Sequence, residues 1–177
     1  MIEIKRIKKP TASDIDQWIG GLEGTDLETR SVYRLSKNGS VVWCVAIAFD
    51  AGVFKEEIVW LKAGGAAIGG GDDLYVLSLT DGAILFHHKL NGYFGQMCLS
   101  PDKVSLYVSG ATDLLALTTS LETAWYKKNL AVDGIIFDKI SESVLHLSTE
   151  VDPPGGWEKV TVDATNGKEI DRVSENR

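Results

Sequence analysis

Residues 74–90 read LYVLSLTDGAILFHHKL, and this stretch decides the fold. Apolar and polar residues alternate on both sides of Asp81-Gly82. Asp-Gly tolerates the positive φ angles of a tight hairpin, so the stretch predicts two antiparallel strands joined by a short turn. The same pattern stands in VYRLSKNGSVVWCV (32–45) and KVTVDATNGKEIDRV (159–173), with turns at Asn38-Gly39 and Asn166-Gly167. A fourth copy, LLALTTSLETAWYKKNL (114–130), has a turn degenerated to Leu121-Glu122, without glycine. The turns at 38–39, 81–82, 121–122 and 166–167 recur at spacings of 43, 40 and 45 residues. An aromatic follows each of the first three turns: Trp43, Phe86 and Tyr126, with Asp171 in the fourth. One large ring per repeat suits packing between stacked sheets.

Between the hairpins, EEIVWL (56–61), QMCLS (96–100), KVSLYVS (103–109), GIIFD (134–138) and SVLHLST (143–149) read as further strands. They are rich in β-branched and aromatic residues and bounded by turn formers. Four strands in 40 to 45 residues is the period of a propeller blade. The expected fold class is therefore all-β, a propeller-like array of four-stranded antiparallel blades with about 3.5 to 4 repeats. Residues 1–177 form one such domain in this reading. IEIKRIKK supplies an edge strand, and Ile15, Trp18, Ile19 and Leu22 are spaced for a short N-terminal helix that Gly20-Gly21 should end. Residues 1–30 thus hold a strand and a short helix. The first hairpin lacks the two strands that precede the others. Either residues 2–8 complete a small ring of four blades, or the sheets stay open and pair with a second chain.

LYVLSLTDGAILF resembles the repeat of PQQ-like and related WD-type β-propellers, in which a strand of the form LYALD leads into a TG turn and a strand carrying a tryptophan. The resemblance covers about residues 31–173. It implies the blade alone. The quinone-binding enzymes that share the repeat are secreted, have about twice as many blades, and use metal and cofactor residues that have no matching positions in this sequence.

Composition narrows the function. The chain has 177 residues, and Leu, Ile, Val and Phe make up 29% of them, well above the range of disordered chains. The longest apolar run, Val41 to Phe49, is nine residues, too short for a membrane helix, and no secretory signal peptide follows the basic start. A cytoplasmic location is expected, with no membrane partner. The net charge of −7 removes the driving force for phosphate-backbone binding, so no nucleic acid is expected. The basic clusters Lys5-Arg6 with Lys8-Lys9, and Lys127-Lys128, read as solvated charge. Cys44 and Cys98 are far apart and lie in apolar stretches, which fits buried thiols in a reducing compartment.

The search for chemistry returns little. GxSxG, HExxH, P-loop and EF-hand patterns are absent. Gly69-Gly70-Gly71-Asp72-Asp73 lacks the helix of a phosphate loop and reads as a flexible turn into the strand from Leu74. His87 and His88 point to opposite faces of one strand, and His146 stands apart, so no metal triad has spacing support. No cofactor, metal or catalytic residue is expected. Asp152-Pro153-Pro154-Gly155-Gly156-Trp157 is the one notable loop, stiffened by prolines and carrying a tryptophan suited to anchoring a partner. The candidate partner-binding residues are Asp72, Asp73, Asp152 and Trp157. The expected function is a non-catalytic protein-binding module, monomer or homodimer. Its acidity favours a basic partner, as in an inhibitor of immunity type against a nuclease toxin. The alternatives are a hydrolase or lyase with a loop-built site at one end of the propeller, and a structural homo-oligomer.

Overall fold

The computed structural model describes residues 1–8, 10–20, 30–49 and 53–174. The described chain is all-β, built from four four-stranded sheets. It divides into two compact units, Met1–His88 and Lys89–Arg177.

In the first unit, β1 (Ile2–Ile7), β2 (Gln17–Ile19), β3 (Ser31–Lys37) and β4 (Ser40–Ile47) form the first sheet in the order β1-β3-β4-β2. The half blade of the sequence reading thus becomes a four-stranded sheet with two strands of its own chain, β1 on one edge and β2 on the other. β1 pairs antiparallel with β3, and β2 pairs parallel with β4. The expected helix is absent among the described residues. Ala12–Asp14 make one 3-10 turn, tied by Thr11 N–H (2.9 Å) and Thr11 Oγ1 (2.7 Å) donating to Asp14 Oδ2, and Trp18 and Ile19 lie in β2. Asp16 decides the outcome. Its N–H donates to Cys44 O at 2.8 Å and its Oδ2 accepts from Cys44 N–H at 2.7 Å, so the edge of β4 captures the chain in extended form. The tertiary bonds override the helical spacing of Ile15, Trp18 and Ile19. Leu22, Gly21 and Lys9 lie outside the described residues.

The second sheet is a meander of β5 (Lys55–Trp60), β6 (Gly65–Gly70), β7 (Asp73–Ser78) and β8 (Ile84–Lys89). β6, GAAIGG, corrects the flexible-turn reading of Gly69 and Gly70; the turn itself is confined to Gly71-Asp72. Its small residues look unlike a strand, yet the packing demands them. A Cβ on Gly65 would lie 2.5 Å from a Val76 methyl, and one on Gly70 3.1 Å from the Phe49 ring. The core lies between the two sheets. Tyr33, Leu35, Trp43, Val45 and Ile47 alternate along β3 and β4 and meet Ala66, Ile68, Tyr75 and Leu77.

The second unit repeats this design. β9 (Phe94–Leu99), β10 (Ser105–Gly110), β11 (Leu114–Thr118) and β12 (Thr123–Lys127) form the third sheet. β13 (Ile135–Ile140), β14 (Val144–Asp152), β15 (Gly156–Asp163) and β16 (Glu169–Ser174) form the fourth. Tyr107, Leu114, Ala116 and Trp125 pack on Leu145, Leu147, Val160 and Val162.

Each unit is locked by one indole. Trp43 Nε1–H donates to Ser78 O at 2.8 Å, and Trp125 Nε1–H donates to Ala164 O at 3.0 Å. The acceptor lies at the start of the neighbouring sheet's hairpin loop, and the loop glycine meets the ring. A Cβ on Gly82 would stand 3.2 Å from Trp43 Cγ, and one on Gly167 2.6 Å from Trp125 Cε3. Both glycines also have positive φ, +75° and +71°. Counting from the turns puts Tyr126 at this place, and the structure corrects it to Trp125. The reason is loop length. Ser78 N–H bonds Ala83 O across the β7–β8 loop, but Thr118 N–H bonds Glu122 O across the β11–β12 loop, one residue shorter. The equivalent residues are therefore Trp43, Phe86, Trp125 and Asp171.

The shorter loop also aligns a second device, an acid at the third strand of a sheet clasped by a donor on the fourth. Asp73 Oδ1 bonds His87 Nε2 at 2.7 Å, Tyr126 O–H donates to Asp113 Oδ2, and Arg172 NH1 donates to Glu158 Oε2 at 2.8 Å. Asp113 is almost fully buried. Burial alone would raise its carboxyl, but bonds from Tyr126, Asn129 N–H and Thr112 hold it below the ordinary aspartate range.

Candidate partner-binding surface

β14 and β15 make the longest hairpin strands of the second unit, nine and eight residues. Glu150 faces Trp157 across the ladder, a bulge follows, and Asp152 faces Gly156. Pro153, Pro154 and Gly155 close the end, with Gly155 N–H donating to Glu150 Oε1 at 2.6 Å. Asp152 is exposed and Trp157 is half-buried, so the structure places these two predicted residues on one hairpin end.

The residues beside them escaped the sequence reading. Val132 N–H donates to Glu150 O at 2.7 Å, and Glu150 N–H donates to Gly134 O at 3.0 Å, which straps residues 132–134 along the hairpin. Gly134 has φ +124°, a conformation closed to L side chains, and a Cβ there would touch both Tyr93 Oη (3.5 Å) and Trp157 Cη2 (3.6 Å). Tyr93 is 44% exposed and Val132 57%. Tyr93 O–H donates to Asp133 Oδ1 at 2.8 Å. Burial and then the Asp133 carboxylate, with Glu150 behind it, push the Tyr93 phenol up to about 12. The surface therefore carries two aromatic rings and an aliphatic residue rimmed by Asp133, Glu150 and Asp152. Aromatic anchors beside carboxylates can bury apolar area and hold a cation at one place.

Asp72 and Asp73 belong to the first unit. Asp72 is half-buried in the β6–β7 turn, and Asp73 starts β7 with its carboxylate on His87. The His87 ring stacks on Tyr75 with centroids 4.4 Å apart and planes within 5°. These two carboxylates thus sit at a turn where one serves as a clasp.

Other polar groupings hold structure together. On the fourth sheet Ser148 Oγ donates to Asp138 Oδ2 at 2.8 Å, and Lys159 Nζ lies 2.7 Å from Ser148 Oγ and 3.2 Å from Asp138 Oδ2. A groove of about 430 Å³ beside β1 includes Glu3, Lys5, Arg6 and Arg34. Lys5 pairs with Glu3 at 2.8 Å. Burial raises the Glu57 carboxyl, while Arg6 acts to lower it. Lys5 and Arg6 of the basic start thus each have an acidic neighbour. Among the described residues no three His, Cys, Asp or Glu side chains gather to hold a metal ion.

No protein-family model matches the chain, and no curated protein matches it. Solved structures do. The chain is similar to hydrazine synthase of Kuenenia stuttgartiensis (TM-score 0.58, 14% identity, 82% of this chain and 43% of that one). It is similar to BamB from Moraxella catarrhalis (TM-score 0.56, 12% identity, 97% and 50%) and to a chain of the Mitotic Checkpoint Complex (TM-score 0.56, 8% identity, 81% and 48%). The chain spans about half the length of each or less. At these identities the likeness establishes the fold, a β-propeller repeat, which agrees with the motif resemblance.

Proposed function

We propose that the chain is a non-catalytic protein-binding module on a β-propeller scaffold, acting in the cytoplasm as an acidic binder of a basic partner, in the manner of an inhibitor. The observation that carries the reading is the exposed Tyr93 and Val132 and the half-buried Trp157, with Asp133, Glu150 and Asp152 near them, at the end of the β14–β15 hairpin. Exposed aromatics supply anchor area, and the net charge of −7 steers a cationic protein toward them. The Mitotic Checkpoint Complex neighbour comes from a protein assembly, which supports an interaction role for such blades.

The test is capture from native lysate on immobilised protein, followed by a salt step. The expected result is a basic protein retained at low salt and released near ~0.5 M, where the Debye length falls to a few ångströms. Capture should vanish with Tyr93→Ala/Trp157→Ala. Retention that ignores both salt and the double substitution contradicts the reading.

A further inference from the structure

The two locks differ in what stands beside the indole. In the first unit the ladder puts Leu35 opposite Trp43 and Ile4 opposite Leu35. In the second it puts Ala116 opposite Trp125 and Tyr107 opposite Ala116. The bonds from Ser78 N–H to Ala83 O and from Asp163 N–H to Lys168 O match Leu79 of the first unit to Ala164 of the second. Two leucines beside the first indole are therefore alanines beside the second. In the second unit a cavity of about 260 Å³ opens at this place, with Ala116, Ala164, Tyr107 and Trp125 in its walls. All four are buried. Val104, 40% exposed, and the exposed Asp102 and Glu142 also line it and stand toward solvent. Space of this kind costs stability when empty, because its walls lack contacts that a ligand would restore.

The lining selects the ligand. It includes two carboxylates and no Lys, Arg or His. The donors of the buried wall are spent, since Trp125 Nε1–H (3.0 Å) and Tyr107 O–H (3.4 Å) both donate to Ala164 O. Asp102 is fixed in its turn by Ser100 Oγ (2.6 Å) and Val104 N–H (3.2 Å), which donate to its Oδ1. Acceptors thus stand at the mouth, and apolar surface stands behind them. We propose that this cavity binds a small organic monoammonium ion. The ammonium sits at Asp102 and Glu142, and an apolar body lies against Ala116, Ala164 and Trp125. At ~30 Å³ per water the cavity holds about nine waters, which sets the body at roughly six to eight carbons. The site belongs to the second unit alone and does not rest on the protein-binding reading.

The test is an NMR titration of the ¹⁵N-labelled protein with hexylammonium at constant ionic strength. Hexanol keeps the body without the charge, and methylammonium keeps the charge without the body. The Trp125 indole N–H should shift saturably with hexylammonium. Each control should bind about tenfold more weakly, for want of the charge-assisted bond or of the buried methylenes. Ala116→Leu restores the leucine of the first unit, and it should abolish the shift while the fold is kept in a thermal melt. Glu142→Gln changes only an exposed side chain and should weaken hexylammonium about fivefold. The proposal is overturned if the indole N–H does not move, if either control binds as well as hexylammonium, if folded Ala116→Leu binds like wild type, or if Glu142→Gln changes nothing. Should Ala116→Leu fail to fold, the two controls and Glu142→Gln still decide.

Discussion

The two units solve the same packing problem with differently assembled sheets. In Lys89–Arg177, both sheets are meanders, and each strand pairs with its neighbour in sequence. In Met1–His88, the first sheet gathers β1, the β3–β4 hairpin and a parallel β2 from separated segments. Yet Trp43 and Trp125 occupy the same place and donate to the same kind of carbonyl, over the same kind of glycine. The indole lock is therefore the constant of the design, and strand order is the variable. Matching β4 to β12 through their tryptophans puts β1 at the position of β10 and β2 outside the position of β12. Among the described residues nothing stands at the position of β9. Local hairpin chemistry set the lock, and what lies around it was free to be built another way.

The largest effect should come from removing the lock. Trp43→Ala and Trp125→Ala are each expected to cost about 3–5 kcal/mol, the range for deleting a buried large aromatic. Chemical denaturation would measure it. Equal losses would confirm that the two indoles are equivalent, and a loss under ~1 kcal/mol at either would break the comparison.

The glycines sharpen the same comparison. Gly167→Ala would push a methyl to 2.6 Å from the Trp125 ring, whereas Gly82→Ala meets Trp43 at 3.2 Å. With the positive-φ penalty common to both, the first should cost about 3 kcal/mol and the second about half that. Thermal melts that reverse the order would show that the two loops do not carry their indoles in the same way.

The clasps differ by burial. Asp113 is buried at 2% exposure, and Asp73 is partly exposed. Asp113→Asn should therefore cost more than Asp73→Asn, by about 1–2 kcal/mol. The pH signature follows. The Asp113 carboxyl is lowered in the folded chain, so its stabilisation is present above the unfolded value near ~4 and fades as pH falls below it. Tyr126, raised by burial and then by Asp113 to about 12, contributes below the unfolded value of ~10 and is lost as pH climbs toward 12. Tyr126→Phe should flatten part of the alkaline fall in a pH-dependent melting series. An unchanged alkaline limb would count against the clasp.

The smallest effect concerns Leu121, which holds φ +63° where the sister loops have glycine. Leu121→Gly should raise stability by up to ~1 kcal/mol, relief of left-handed strain against a modest loss of side-chain contact. A lowered melting temperature would mean that the Leu121 side chain contributes more than its backbone costs.

Much of the fold was legible because hairpins announce themselves locally. Asn38-Gly39, Asp81-Gly82 and Asn166-Gly167 carried it, and alternation gave the buried faces. β6 was not legible, since GAAIGG has the composition of a loop and is a strand because β5 and β7 pair with it on both sides, while Val76 and Phe49 leave room only for glycine at 65 and 70. β2 was not, since it pairs with Val45–Ile47, 28 positions away, beside the bonds of Asp16 to Cys44. Of the candidate surface, Asp152 and Trp157 were visible in a Pro-Pro-Gly-Gly-Trp string. Tyr93 and Asp133 were not, because their bond joins residues 40 apart and depends on how two sheets pack.

The most direct test sets the two units against each other as binding surfaces. Affinity for the captured basic partner would be measured for wild type, for Tyr93→Ala/Trp157→Ala in the second unit, and for Asp72→Asn in the first. The account predicts a loss of about a hundredfold or more for the double variant, in keeping with two aromatic hot spots, and no more than a fewfold change for Asp72→Asn. Undiminished binding by the double variant, or a large loss with Asp72→Asn alone, would contradict it.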